Sequence, residues 1–114
     1  MEFGMKRILA SVKAMAILSR LYTGSPVSVQ ALSKESGLSV SYLEQIFKKL
    51  RGGNLVISQR GPGGGYIPRE GDISVSEIIR TVSCVPDDRT FKPVIAALDD
   101  VFISQMVGSK TPAS

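Results

Sequence analysis

The sequence contains no histidine and one cysteine, Cys84, among 114 residues. The first absence removes the commonest metal ligand. The second excludes an internal disulfide and leaves a zinc or iron-sulfur site without a cysteine set. No apolar run approaches the roughly 18 to 20 residues that a membrane span requires. Between Met1 and Tyr22, basic and polar residues interrupt the stretch where a signal peptide would carry a continuous apolar block. No nucleophile motif is present, and the acidic pairs Asp87-Asp88 and Asp99-Asp100 read as solvated carboxylates. These absences point away from enzymes, bound metals and membranes, and toward a cytoplasmic protein with another task.

What is present suits one folded domain. A mass of 12.2 kDa allows a single core, and 43% hydrophobic with 21% charged residues is the composition of a globular chain. The net charge of +4 is unevenly spread: residues 1–70 hold ten Lys/Arg against four Asp/Glu, whereas residues 71–114 hold four against six. A basic half on a chain of pI near 9.5 suits counterion-releasing association with nucleic-acid phosphates, for which charge alone is a weak argument.

Periodicity supplies the rest. Ile8, Val12, Met15 and Leu18, joined by Leu9, Ala16 and Leu21, recur at three- and four-residue steps and predict a helix over 6–22 with a wide buried face. Gly24, Ser25 and Pro26 end it. Ser28 then caps a shorter helix that turns Val29, Ala31 and Leu32 inward and stops at Gly37. In the following "LSVSYLEQIFKKLRGGN", Leu43, Ile46, Phe47 and Leu50 share one face, and Ser41, Glu44, Gln45, Lys48 and Arg51 lie toward the other. Two helices joined by a tight glycine turn, the second with a polar and basic free face, form the arrangement that enters a DNA major groove.

Two readings stand for several of these residues. Ser41-Tyr42-Leu43-Glu44 fits a capping box, which would occupy Glu44 at the helix start and away from any base. Tyr42 suits packing as well as a phosphate contact, and Lys48 and Lys49 suit simple solvation.

After Gly52, Gly53 and Asn54, "LVISQR" and "GYIPR" predict two short strands with Gly61 to Gly65 at the hairpin tip. Such a hairpin beside a helix-turn-helix is a wing. Its glycines allow close backbone approach to phosphate or minor groove, and Arg60 and Arg69 flank it with charge. "GPGGG" is not a nucleotide loop, because no Lys-Ser/Thr pair or helix follows it. Ser74-Val75-Ser76-Glu77 then repeats the capping-box pattern and opens a short helix expected to lie under the wing. Pro93 starts a last helix to about Val107, whose Val94, Ile95, Leu98, Val101, Phe102 and Met106 exceed the need of one core contact. A second chain covers them on the favoured reading, a fold-back onto the same domain on the other.

"LSVSYLEQIFKKLRGGNLV" followed by "RGPGGGY" closely resembles the Rrf2 family of bacterial transcription regulators, over about Ser25 to Val82. The resemblance implies a mainly α fold with a small β-hairpin, a winged helix-turn-helix plus a C-terminal dimerisation helix. It implies a homodimer on a roughly palindromic operator in double-stranded DNA, more simply a repressor than an activator. Carried over by position, it places Ser39, Ser41, Tyr42, Glu44 and Gln45 at the DNA, with Glu44 accepting from a cytosine. The basic face adds Lys48 and Arg51, and the wing adds Arg60, Gly61, Pro62, Gly63, Gly64 and Gly65.

The chain departs from that family in three respects. The cluster-binding members carry three cysteines after the "EIIRTV"-like helix, whereas Cys84 stands alone here, so an iron-sulfur cluster of that type is not expected. "RILASVKAM" replaces the usual Gly-Arg-Tyr-Ala stretch near the start, and the chain is shorter than typical members. Cys84 then reads either as a redox-sensitive thiol or as a small buried hydrophobe, and a small-molecule effector is a further option. The expected division is a winged domain over 1–85, a loop and dimerisation helix over 86–108, and a disordered tail over 109–114. The alternative of another class is a winged-helix module that binds protein in place of DNA.

Overall fold

The computed structural model describes residues 5–82 and 91–107. Residues 83–90, with Cys84, and 108–114 lie outside those residues, as do the side chains of Ile95 and Met106 expected at the dimer interface. Six helices and one hairpin follow in the order α1 Met5–Leu21, α2 Val29–Ser36, α3 Val40–Gly52, β1 Val56–Gln59, β2 Gly65–Pro68, α4 Val75–Val82, α5 Phe91–Ala97 and α6 Ile103–Val107. This is the expected mainly helical fold with one small hairpin.

The core forms where α1, α2, α3 and α4 meet. Met15, Leu18, Leu32, Leu43, Phe47, Leu50 and Ile78 are wholly buried in it. Helix α1 supplies its small residues Ala10, Ser11 and Ala14 to that contact, and Leu9, expected inside, is 62% exposed. Small side chains at those positions let the neighbouring helices approach closely, which rotates the buried face of α1 away from Leu9. Helix α4 packs on α1 and α3, not under the wing, and Gly53 leaves room for Thr81, whose Cγ2 would stand 2.6 Å from a Cβ there.

The last expected helix is broken. After α5 a short 3-10 turn covers Leu98–Asp100, and then Val101 and Phe102 run extended beside the start of α4. The Val75 amide donates to the Val101 carbonyl at 2.8 Å, the Ile103 amide to the Ile73 carbonyl at 2.9 Å, and Ser74 pairs with Phe102. This reversal drops Ile103 into the core and lays α6 on α1. Ile103 is 2% exposed there, and burial of such a side chain contributes about 1.5–3 kcal/mol. Leu98 and Val101 consequently pack on their own domain, Phe102 is half-buried, and Val94 is 55% exposed.

Polar contacts hold the root of the hairpin to this helical frame. Arg69 donates to both Glu77 carboxylate oxygens, at 2.7 and 3.3 Å, and to the Asp72 carbonyl at 2.6 Å. Its charge is therefore spent inside the fold, and it does not join Arg60 as a free cation of the wing. Glu77 also completes the expected capping box: it accepts from the Ser74 amide at 3.1 Å while its own amide donates to Ser74 Oγ at 3.2 Å. Asp72 accepts from the hydroxyl and amide of Ser104, joining the loop after β2 to α6. Asp99 accepts from Ser76 and Arg80.

The hydrogen bond from Arg69, opposed by partial burial and aided by the Ser74 amide, holds the Glu77 carboxyl at about 2 against an ordinary 4.5. A carboxyl lowered on folding stabilises the protein above its unfolded value and loses that contribution as pH falls through the folded one. Thermal melting from pH 6 to pH 2 should thus show a loss of stability below about pH 4.5 that is smaller in Glu77→Gln. Parallel melting curves for the two proteins would refute this.

Candidate nucleic-acid interface

Helix α2 ends at Gly37, in the left-handed region at φ 77°, where the chain turns sharply toward α3. The Gly37 amide donates to the Ser33 carbonyl at 2.9 Å, and the Ser33 hydroxyl donates to the Leu38 carbonyl at 2.6 Å. Arg20 of α1 pairs with Glu35 of α2 at 2.8 Å across the surface. These contacts fix the angle at which α3 leaves the turn.

The cap of α3 is Ser39, not Ser41. Its Oγ accepts from the Tyr42 amide at 3.1 Å, and Ser41 lies two residues further on, within the first turn, with its side chain exposed. In this register the position that would close a capping box is Tyr42. Glu44 is consequently not engaged at the helix start, and its carboxylate stands on the exposed face. Gln45, Lys48, Lys49 and Arg51 are exposed with it, while Tyr42 is half-buried against the core. Of the residues expected at the DNA, Ser39 caps the helix and Tyr42 packs in part against the core.

The hairpin stands beside this face. Val56 pairs with Pro68, Ile57 with Ile67, Ser58 with Tyr66 and Gln59 with Gly65. Tyr66 also exchanges backbone hydrogen bonds of 2.9 and 2.8 Å with Val27, on the side of β2 away from β1. Its ring stacks on Phe47 of α3, with centroids 4.4 Å apart and planes 17° from parallel. The wing is thereby tied both to the entry of α2 and to α3.

The glycine cluster answers to this geometry. Gly61 and Gly63 sit at φ 92° and 76°, which turns the tip back on itself. At Gly64 and Gly65 a side chain would collide with the backbone of Gln59 and Val27 respectively. Arg60, Gly61, Pro62 and Gly63 are exposed at the tip.

Between the start of α2, the free face of α3 and the wing lies an open hollow of about 510 Å³, bordered by Gln30, Glu44, Arg51, Ser58, Arg60 and Tyr66 among others. Arg51 crosses it to donate to Ser58 Oγ at 3.0 Å. Partial burial, and then the negative charge of Glu44, push the Tyr66 hydroxyl above its ordinary range, and Arg51 opposes them. The hollow brings together Glu44, Arg51 and Arg60, which sequence reasoning singles out, with Ser58 and Tyr66, which it does not. Only the pairing register puts those two opposite each other on the inward face of the hairpin.

Two helices about a tight turn, with a two-stranded wing packed beside the second, define a winged helix-turn-helix. The family model described as Rrf2, iron-dependent transcriptional regulator, matches residues 6–101. The chain belongs to the Rrf2 family, whose members are transcription regulators and not enzymes.

Among its relatives, the HTH-type transcriptional regulator IscR of Cronobacter sakazakii is 43% identical over 74 residues, covering 63% of this chain and 46% of that protein. A putative HTH-type transcriptional regulator, ORF2 of Azotobacter vinelandii, is 47% identical over 75 residues, covering 64% and 46%. The chain thus spans about half the length of these relatives. The solved structure of T. potens IscR is 31% identical, with a TM-score of 0.80 over 100% of this chain and 91% of that one. Oxidized CymR of Staphylococcus aureus is 25% identical, with a TM-score of 0.73 over 94% and 96%.

The family description raises the question of iron. Residues 1–114 offer one thiol and no imidazole. Among the described residues no three His, Cys, Asp or Glu lie together as a metal site would require, and Asp72, Glu77 and Asp99 are already engaged. These donors do not fit an iron-sulfur site built from three cysteines of one subunit.

No helix among the described residues is long and apolar enough to cross a membrane.

The position of the cap has a direct test. Ser39→Ala should cost about 1 kcal/mol in chemical denaturation, the usual worth of an N-cap, and Ser41→Ala less than about 0.5 kcal/mol. Equal losses would return the cap, and with it Glu44, to the capping box beginning at Ser41.

Proposed function

We propose that this chain is a sequence-specific DNA-binding regulator of transcription, acting as a cytoplasmic homodimer on a roughly palindromic operator. Helix α3 lies in the major groove and the wing tip lies in the adjacent minor groove or on its phosphates. The observation that carries the reading is the juxtaposition of an uncapped, exposed Glu44 with Arg51 and Arg60 around one hollow.

Each part has its own chemistry. Glu44 accepts a hydrogen bond from the exocyclic amine of a cytosine, and Ser41 and Gln45 contact neighbouring base edges. Lys48, Arg51 and Arg60 neutralise phosphates and release counterions, which supplies affinity without sequence preference. At Gly61 to Gly65 bare backbone approaches the duplex. Two subunits pair through the segment after α4, where Val94 is exposed, and set the spacing of the two half-sites. Repression follows from occupying the promoter.

A duplex enriched by the protein from random DNA should bind at least about a thousandfold tighter than scrambled DNA at physiological salt, read by fluorescence anisotropy. Glu44→Ala should relax the preference at one base pair of each half-site by about 1–3 kcal/mol. Arg60→Ala should weaken binding to all sequences alike and flatten its salt dependence. Equal, weak binding of both duplexes would instead assign the α3 face to a protein partner.

A further inference from the structure

The inward face of the hairpin carries two hydroxyls that the helix-turn-helix itself does not use. Ser58 of β1 and Tyr66 of β2 are direct cross-strand partners, and both border the hollow between wing and α3. Ser58 Oγ accepts from Arg51, so its own proton is left to donate elsewhere. Tyr66 is held by the stack on Phe47 and by both backbone hydrogen bonds to Val27, and it lines the hollow. Three donors, the Arg51 guanidinium, the Ser58 hydroxyl and the Tyr66 hydroxyl, thus converge from three different elements on one opening. No carboxylate among the described residues is hydrogen-bonded to any of them. Glu44 borders the same hollow from the reading face, and its charge disfavours an anion on that side, so a phosphate would sit toward the hairpin.

We propose that Arg51, Ser58 and Tyr66 form a clamp for one phosphate of the DNA strand that separates the major groove from the minor groove. The inference rests on the DNA-binding reading above and adds two residues to it. When α3 occupies one groove and the wing the next, the strand between those grooves must pass through the gap between the two elements. A phosphate there meets one cation and two rigidly held hydroxyls, the donor set that positions backbone without reading sequence. Tyr66 contributes most to register, because its ring has the least freedom.

The test pairs protein hydroxyls with single phosphates. Ser58→Ala/Tyr66→Phe deletes two oxygens and keeps the stack, the Val27 bridge and the strand register. Its folding is checked by thermal melting. Each phosphate of the enriched duplex is replaced in turn by a neutral methylphosphonate, and affinities are measured for wild type and the double variant. At one phosphate in each half-site the wild type should lose on the order of tenfold, the worth of a hydrogen bond to a charged group, while the double variant loses much less. On unmodified DNA the variant should bind every base-substituted duplex more weakly by a common factor. Additive losses at every phosphate would overturn the clamp, because a hairpin that is merely loosened weakens all contacts alike. Failure of the wild type to prefer its enriched duplex would instead overturn the DNA-binding reading itself.

Discussion

Two backbone hydrogen bonds between Val27 and Tyr66 hold the rest of the arrangement in place. A two-stranded hairpin of four-residue strands is marginal by itself in water, and its orientation would drift relative to any neighbour. Bonding to Val27 fixes β2 at the entry to α2, and the stack on Phe47 fixes it to α3. Three elements separated along the chain then act as one rigid surface. The close approach that this requires leaves no volume for a side chain at position 65, so the last glycine of the run is set by the position of Val27. Preorganisation of this kind lowers the entropy that ordering the wing would otherwise cost on binding.

The charged residues divide between two roles. Along the free face of α3 and at the wing tip Lys48, Lys49, Arg51 and Arg60 are exposed, and they account for much of the basic excess of residues 1–70. Arg20 and Arg69 from the same half pair with Glu35 and Glu77 and brace the fold. In the other half Asp72, Glu77 and Asp99 accept from hydroxyls, amides and arginines that join α4, α6 and the loop after β2. Three of the six acidic residues beyond residue 70 therefore have structural partners. They hold together the frame on which the basic surface is mounted.

Much of this was legible before any coordinates. The 3.6-residue spacing of Leu43, Ile46, Phe47 and Leu50 identified both the helix and its free face, because one buried stripe determines the other side. Ser28, Gly37 and the Ser74 capping box were read correctly, since caps depend on local chemistry. The capping-box reading of Ser41 stays open in the sequence because Ser39 competes two residues earlier, and only the start of the helix decides between two serines. Leu9 was misplaced because small residues count little in a hydrophobic pattern, yet Ala10, Ser11 and Ala14 take the buried side. The broken C-terminal helix was hidden for a different reason: Ile103 finds its site among α1 and the start of α4, a contact far away in sequence. Ser58 and Tyr66 were passed over because register, on which their meeting depends, is a property of the pair of strands.

The Val27 bridge also makes β2 an interior strand. Strand β1 covers one side of it and Val27 the other, so among the described residues only the outer edge of β1 lacks a partner strand. That edge is four residues long and runs into the exposed Arg60 and the glycine tip, features that discourage strand addition by another molecule. Without Val27 the hairpin would present two open edges beside an outer face on which Ile57 is already 60% exposed. One residue ahead of α2 thus covers an edge through which the hairpin could otherwise find its match in a second copy of itself.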